Sequence, residues 1–155
     1  MRSAGLLLYR RTGAGLEVLL GHMGGPYFAR RDEGAWSIPK GEYGPDEEPL
    51  AAALREFTEE FGAPPPATDG ALALGEVRQR NGKLVTAWAI EADFDAGTIV
   101  SNTFEIEWPP RSGRRQEFPE IDRAAWFDLA TARPKMIVGQ DALLDRLADK
   151  VEHVL

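Results

Sequence analysis

The chain of 155 residues is long enough to bury one sizeable core, and its four Trp and seven Phe argue against a disordered protein. The absence of Cys excludes disulfides, thiolate metal sites and Cys nucleophiles, and it fits a reducing compartment such as the cytoplasm. The formal net charge of -7 argues against stable binding to nucleic acid or anionic membranes, and no segment is typical of a signal peptide or a membrane span.

The first third of the chain predicts short strands around one loop. Residues 4–9 and 16–21 are β-prone and are separated by the turn-forming residues 12–15, which indicates a hairpin. Residues 24–34 are rich in Gly and Arg and lack periodicity, so we expect a loop there. Residues 36–38 restore a brief strand pattern before a proline.

A helix is predicted from Asp46, which is a suitable N-cap, to Gly62, which is a suitable stop. Acidic residues directly after Asp46 suit the positive end of the helix dipole. Apolar residues recur at spacings of four, three and four and indicate one buried stripe, formed by Leu50, Leu54, Phe57 and Phe61.

The second half of the chain predicts further strands and a closing helix. Residues 71–79 and 84–92 are β-prone, and Asn81-Gly82 between them is a strong signal for an antiparallel hairpin. We expect a strand at 104–108 and a charged loop at 109–119. An apolar run follows at residues 124–127. Residues 140–155 predict a helix with an inner stripe of Leu143, Leu144, Leu147, Val151 and Val154.

These elements predict a single α/β domain over residues 1–155, with helices on both faces of a mixed sheet. Trp88, on a predicted strand, is expected in the core. Neither His22 nor His153 lies at a spacing that suggests a metal ligand, and no role is assigned to them.

Three carboxylates of the central helix, Glu56, Glu59 and Glu60, fall on one surface that faces away from the apolar stripe. Like charges at this spacing repel each other, so the arrangement is unfavourable unless a cation compensates the negative charge. Arg55 is one candidate cation, and a hard divalent metal ion is another. An ordinary solvated acidic face is the alternative interpretation.

The wider segment, residues 41–63, resembles the Nudix box. That pattern is a Gly, five residues, a Glu, seven residues, then Arg-Glu-apolar-any-Glu-Glu-any-Gly-apolar. This sequence fills each position at the required spacing, with Gly41, Glu47, Arg55, Glu56, Phe57, Glu59, Glu60, Gly62 and Ala63. Residues 36–41 also resemble the strand and turn that precede the box in many members of the family.

The resemblance implies the α/β/α sandwich of Nudix proteins and hydrolysis of a diphosphate linkage with Mg²⁺ or Mn²⁺. It implies that Glu56, Glu59, Glu60 and the carbonyl of Gly41 bind the metal. Glu59 has the alternative of a structural pair with Arg55.

The resemblance also implies that Arg55 and Glu47 form an ion pair that supports the metal ligands. For the general base it leaves two options, Glu56 within the box and Glu120 in a later loop. Glu117 competes with Glu120 for the second option.

Candidate substrate contacts lie just before the box. Lys40 has the charge to meet a phosphate oxygen, and Arg30, Arg31 and Tyr27 lie on the preceding loop, although all four also suit an ordinary solvated surface.

The expected partner is a small nucleotide or another diphosphate compound, and the resemblance favours a nucleoside triphosphate or a dinucleoside polyphosphate. A catalytically silent Nudix module that binds a nucleotide or a protein is the alternative. The Nudix-fold isopentenyl diphosphate isomerase relies on Cys, which this chain lacks. The sequence leaves the oligomeric state open, with a homodimer among the options.

Overall fold

A computed structural model describes residues 2–154 of the chain and the side chains of residues 2–152. Its strands are β1 (Arg2–Thr12), β2 (Gly15–Met23), β3 (Trp36–Ser37), β4 (Lys40–Glu42), β5 (Leu72–Arg78), β6 (Leu84–Glu91), β7 (Thr103–Glu107), β8 (Arg115–Pro119) and β9 (Ile121–Asp128). Its α-helices are α1 (Pro49–Phe61), α2 (Leu129–Lys135) and α3 (Ala142–Val154). None of these helices is long and apolar enough to cross a membrane.

Within residues 2–154, seven strands form one mixed sheet whose main path runs β3-β2-β1-β6-β5, with β4 paired to β1 and β9 paired to β2. The β1–β2 and β5–β6 hairpins are antiparallel, as predicted. By contrast, β1 and β6 run parallel and pair over eight residues. This parallel pair lies in the middle of the sheet, where both faces are covered.

Helices cover both faces of the sheet, as predicted. Successive side chains of a strand point to opposite faces, so Leu6 and Leu8 pack towards α1 while Leu7 packs towards α3. Phe57 and Phe61 of α1 are fully buried, and burial of each contributes about 2 kcal/mol. On α3 the predicted stripe is buried at Leu143, Leu144, Leu147 and Val151, whereas the side chain of Val154 lies outside the described residues.

The start of α1 differs from the prediction. Asp46 is not the N-cap, because the helix begins at Pro49 and Glu48 precedes it in an extended conformation. A residue before proline is disfavoured in the helical region, and proline is favoured in the first turn. The predicted stop is confirmed: Gly62 adopts a left-handed conformation with φ of 83° and donates its N–H to the Thr58 carbonyl.

Among the strands and α-helices of the described residues, β4, β8 and α2 were not predicted as they are found. Residues 109–119 are not a loop throughout, because Arg115–Pro119 forms β8 and pairs with β7 in a separate two-stranded hairpin. The first three residues of β8 are all exposed, so the sequence lacks the alternation that marks a strand with one buried face. The short helix α2, capped by the Asp128 side chain, was also missed. Pro134 lies inside this helix, and a proline in a short segment is usually a signal against a helix.

Candidate active site

Five glutamates line a pocket of about 400 Å³, which we call the carboxylate pocket. Three of them come from α1, Glu42 comes from β4, and Glu120 lies between β8 and β9. The lining residues are Ser3, Lys40, Gly41, Glu42, Glu56, Glu59, Glu60, Lys83, Asn102 and Glu120.

The glutamates of α1 are not equally exposed. All three glutamates line the carboxylate pocket. The alternative interpretation, an ordinary solvated face, is wrong for Glu56 and Glu60, each only 8% exposed, whereas the Glu59 side chain is 42% exposed. The helix packs on β1 and on the short strand β4, which turns Glu56 and Glu60 towards the sheet. At Gly41 of β4, a Cβ atom would lie 2.1 Å from the carboxyl carbon of Glu56. Only a glycine therefore lets this carboxylate lie against the backbone.

Arg55 links four acceptors around the pocket. Its Nε and Nη2 donate to the two carboxylate oxygens of Glu47 at 2.8 and 2.9 Å. Its Nη1 donates to Glu56 Oε1 at 2.8 Å and to Glu59 at 3.3 Å. Nη2 also reaches the carbonyl of Glu42 at 3.4 Å. One guanidinium thus holds the loop before α1 and orients two carboxylates of the pocket.

Glu120 is fixed by its backbone. Its N–H donates to the Asn102 carbonyl and its carbonyl accepts from Gly24, both at 2.9 Å. The N–H of Asn102 donates in turn to the carbonyl of Glu59 at 2.8 Å, which ties this segment to α1. Glu117, the competing candidate, lies on exposed β8, where its carboxylate accepts from the Thr103 hydroxyl, and it does not line the pocket.

Burial shifts the proton equilibria of the pocket. It raises the pKa of Glu60 well above the ordinary value and also raises the pKa values of Glu56 and Glu120. The same cause lowers the pKa of Lys40, against the opposing pull of the neighbouring carboxylates. Placing several carboxylates here is therefore costly until a cation compensates them.

The donor set fits a hard divalent metal ion, because the side chains facing the pocket from α1 offer only oxygen atoms and Mg²⁺ and Mn²⁺ prefer oxygen ligands. Among the described residues, no three His, Asp or Glu side chains already converge as an ion would require. The bonds from Arg55 to Glu56 and Glu59 draw these two carboxylates towards the guanidinium. Side-chain rotation would be needed to bring their oxygens together.

A second cavity of about 530 Å³ adjoins the carboxylate pocket and shares Lys40 and Lys83 with it. We call it the cation-lined cavity, because Arg31 and Arg80 join these two lysines and none of the described residues lining it is acidic. Its remaining wall is largely apolar or amide-bearing and includes Met23, Phe28, Gly34, Gln79, Asn81, Ile137 and Val138.

The predicted substrate contacts fall into two groups. Lys40 and Arg31 line the cation-lined cavity, whereas Arg30 and Tyr27 line neither this cavity nor the carboxylate pocket. Tyr27 is 63% exposed and packs edge-on against Trp108 of the β7–β8 hairpin, with ring centroids 5.3 Å apart.

Sequence reasoning missed Lys83, Arg80 and Asn102 as residues of the site. For Arg80 and Lys83, the Asn81-Gly82 turn was a signal that could have placed them together. A tight hairpin brings its flanking residues together at one end of the sheet, and Arg80 and Lys83 flank this turn. No comparable local signal marks Asn102.

Comparison with known proteins gives a consistent result. The model of the NUDIX domain matches residues 1–147. An Ap4A hydrolase from C. elegans, solved as a binary complex, has a TM-score of 0.67 at 19% identity, covering 98% of this chain and 99% of that chain. A Nudix hydrolase from M. smegmatis, RenU, has a TM-score of 0.62 at 21% identity, covering 99% and 87%.

The NUDIX domain of NrtR from Shewanella oneidensis, solved with ADP ribose, has a TM-score of 0.63 at 15% identity, covering 97% of this chain and 88% of that chain. Comparison with curated protein sequences gave no match. At these identities the solved structures show a shared fold.

Replacing a buried carboxylate should stabilise the metal-free protein. Because burial raises the pKa of Glu60, its charged form costs stability, and the cost grows as the pH rises above the ordinary range of a carboxyl group. We expect Glu60→Gln to raise the free energy of unfolding at about pH 8 by on the order of 1 kcal/mol. Urea unfolding in a chelating buffer measures this.

Glu59→Gln is the matched control, since Glu59 is exposed and its substitution should leave the stability unchanged or slightly reduced. Mg²⁺ should raise the melting temperature of the wild type more than that of Glu60→Gln. If Glu60→Gln were equally or less stable than the wild type without metal, the charged form of the buried Glu60 would not cost stability.

Proposed function

Because the chain belongs to the NUDIX domain family, we propose that it is a cytoplasmic hydrolase that cleaves a diphosphate linkage with Mg²⁺ or Mn²⁺. Hydrolases of this family act on nucleoside diphosphate derivatives and generally use a divalent metal such as Mg²⁺. The observation that carries the proposal is that Glu120 and three glutamates of α1 line one pocket together with Lys40.

Glu56, Glu59, Glu60 and the carbonyl of Gly41 would hold the metal. Bound there, it would neutralise charge on phosphoryl oxygens and lower the pKa of a water molecule. Arg55 would keep Glu56 and Glu59 oriented through its bonds to both carboxylates and to Glu47.

In the proposed reaction, water attacks one phosphorus atom, the bridging phosphorus–oxygen bond breaks, and two phosphate-bearing products leave. Glu120 accepts the proton of the attacking water, since it lines the carboxylate pocket and none of the described residues hydrogen-bonds to its carboxylate. Glu56 is the alternative base. Its bond to Arg55 favours a role as a ligand over a role as a proton acceptor.

For the substrate, the cation-lined cavity favours a nucleoside triphosphate or a dinucleoside polyphosphate. With a diphosphate linkage in the carboxylate pocket, further phosphates would extend past Lys40 and Lys83, which face both cavities, towards Arg31 and Arg80. A nucleotide sugar would bring an uncharged sugar to four cations and leave their charge uncompensated.

A substrate panel with the purified protein tests the proposal. The panel comprises nucleoside triphosphates, dinucleoside polyphosphates, nucleotide sugars and ADP-ribose, each with Mg²⁺ and with Mn²⁺. We expect cleavage of at least one polyphosphate compound, and we expect Glu60→Gln to reduce its kcat by about 10²-fold or more. Product analysis by chromatography measures both effects.

Binding without cleavage of any compound would instead support the silent module. Near-normal activity of Glu60→Gln would contradict the proposed metal ligands. The control variant Lys150→Ala changes an exposed residue of α3 that lines neither cavity, and it should be fully active.

The identity of the base is tested by the pH dependence of the rate. Glu120 must be ionised to accept a proton, and burial raises its pKa, so activity should fall on the acidic side of neutrality. We expect Glu120→Gln to lower kcat by about 10²-fold or more and to remove this acidic limb. Glu117→Gln is the control. An acidic limb that persists in Glu120→Gln would assign the base to Glu56.

The role of Lys83 is tested by comparing substrates with different numbers of phosphates. We expect Lys83→Ala to raise KM for a dinucleoside tetraphosphate by about tenfold or more, because a charged hydrogen bond to phosphate is lost. ADP-ribose, which has only two phosphates, should be affected much less. An equal rise in KM for both compounds would contradict the proposal that further phosphates extend past Lys83.

A further inference from the structure

His22 is a fully buried titratable residue of β2 that lines neither cavity. Its Nδ1 lies 2.9 Å from Asp122 Oδ1 and its Nε2 lies 2.6 Å from the carbonyl oxygen of Arg31. Its ring packs edge-on against Trp36, with centroids 5.1 Å apart. This geometry constrains the position of the ring proton.

Both polar neighbours of the ring are acceptors. A carbonyl oxygen only accepts, and an ionised carboxylate only accepts, whereas neutral imidazole has a single N–H. One of the two short contacts would then bring lone pairs face to face. Arg123 Nη1 lies 3.3 Å from the same Asp122 oxygen and favours the ionised carboxylate. The arrangement is therefore satisfied when His22 is an imidazolium that donates from both nitrogens.

The two partners belong to the two segments that complete the site. Arg31 and Phe28 lie on the loop of residues 24–34 and line the cation-lined cavity. Asp122 lies two residues after Glu120, at the start of β9. The Arg31 N–H donates to the Phe28 carbonyl, so a bond to the Arg31 carbonyl also anchors the turn that carries Phe28.

We propose that His22 is a positioning residue whose doubly protonated ring fastens the Arg31 turn to β9 and so shapes the cation-lined cavity. The part of this inference that concerns substrate rests on the proposed function, whereas the part that concerns the ring proton does not. Loss of the proton leaves one N–H, which the carboxylate of Asp122 retains as the stronger acceptor. The Arg31 carbonyl is then released, and the turn loosens.

The charged groups around the ring come from three elements. Asp122 and Arg123 face it from β9, and Arg123 also lies over the Trp36 ring at 5.2 Å. Asp32 of the loop accepts from Trp36 Nε1 at 2.8 Å and pairs with Lys135 of α2. Of these charged side chains, Asp122 is the one that hydrogen-bonds directly to the imidazole.

The ring proton can be observed directly by nitrogen-15 NMR. The chain has only two His, so His153→Gln leaves the signals of His22 alone. We expect both ring nitrogens of His22 to give the signals of protonated nitrogens, because both face acceptors. In Asp122→Asn the amide replaces the charged acceptor, and we expect a ring with one N–H. A ring with one N–H in the protein that carries His153→Gln alone would overturn the proposal, whatever the protein hydrolyses.

Hydrogen exchange and kinetics test the positioning role. In His22→Gln, which keeps one donor but no charge, amides of residues 24–34 should exchange faster than in the His153→Gln control. For a cleaved polyphosphate, KM should rise by about tenfold with kcat changed much less. Unchanged exchange and an unchanged KM would overturn the role. Should His22→Gln fail to fold, Asp122→Asn carries the same measurements.

Discussion

The bond network of Arg55 is the interaction on which the carboxylate pocket depends. Exposed ion pairs contribute little to stability, but this guanidinium is bidentate to Glu47 and is shared with two glutamates of the same helix. Its pKa is raised by these partners, so it remains charged under all relevant conditions. Without it, Glu56 and Glu59 of α1 would be neighbouring like charges that lack the guanidinium bonded to both of them.

The carboxylate pocket also depends on two glycines at which neighbouring segments pass close to the backbone. Gly41 lets the Glu56 carboxylate lie against β4, and Gly24, where a Cβ atom would lie 1.9 Å from the Pro119 carbonyl oxygen, lets the second strand pass the Glu120 segment. A side chain at Gly24 would clash with backbone and separate the two segments, whereas a side chain at Gly41 would displace the Glu56 carboxylate. Phe57 and Phe61 of α1 are fully buried in the core. Their apolar packing fixes the helix against the sheet and thereby fixes the position of its glutamates.

Features that depend on residues close in sequence were predicted correctly. Features that depend on contacts between residues distant in sequence were missed. The Asn81-Gly82 turn and the Gly62 stop are short-range features, and the structure confirms both. Burial of Glu56 depends on which helix face meets β4, whereas helical periodicity alone placed that face away from the apolar stripe. Asn102 joins the site only through backbone bonds to Glu59 and Glu120, far apart in sequence, and such contacts leave no pattern in composition.

The two cavities have opposite charge, and this contrast bears on the length of the substrate. A metal ion bound in the carboxylate pocket would reduce its negative charge, but it would leave the cations of the neighbouring cavity unmatched. Lys40 and Lys83 face both spaces, so an anion there contacts the two charge regions at once. A chain of phosphates carries charge along its length and compensates the cations one after another. The wall holding Arg31 is the part of this cavity that is anchored through His22.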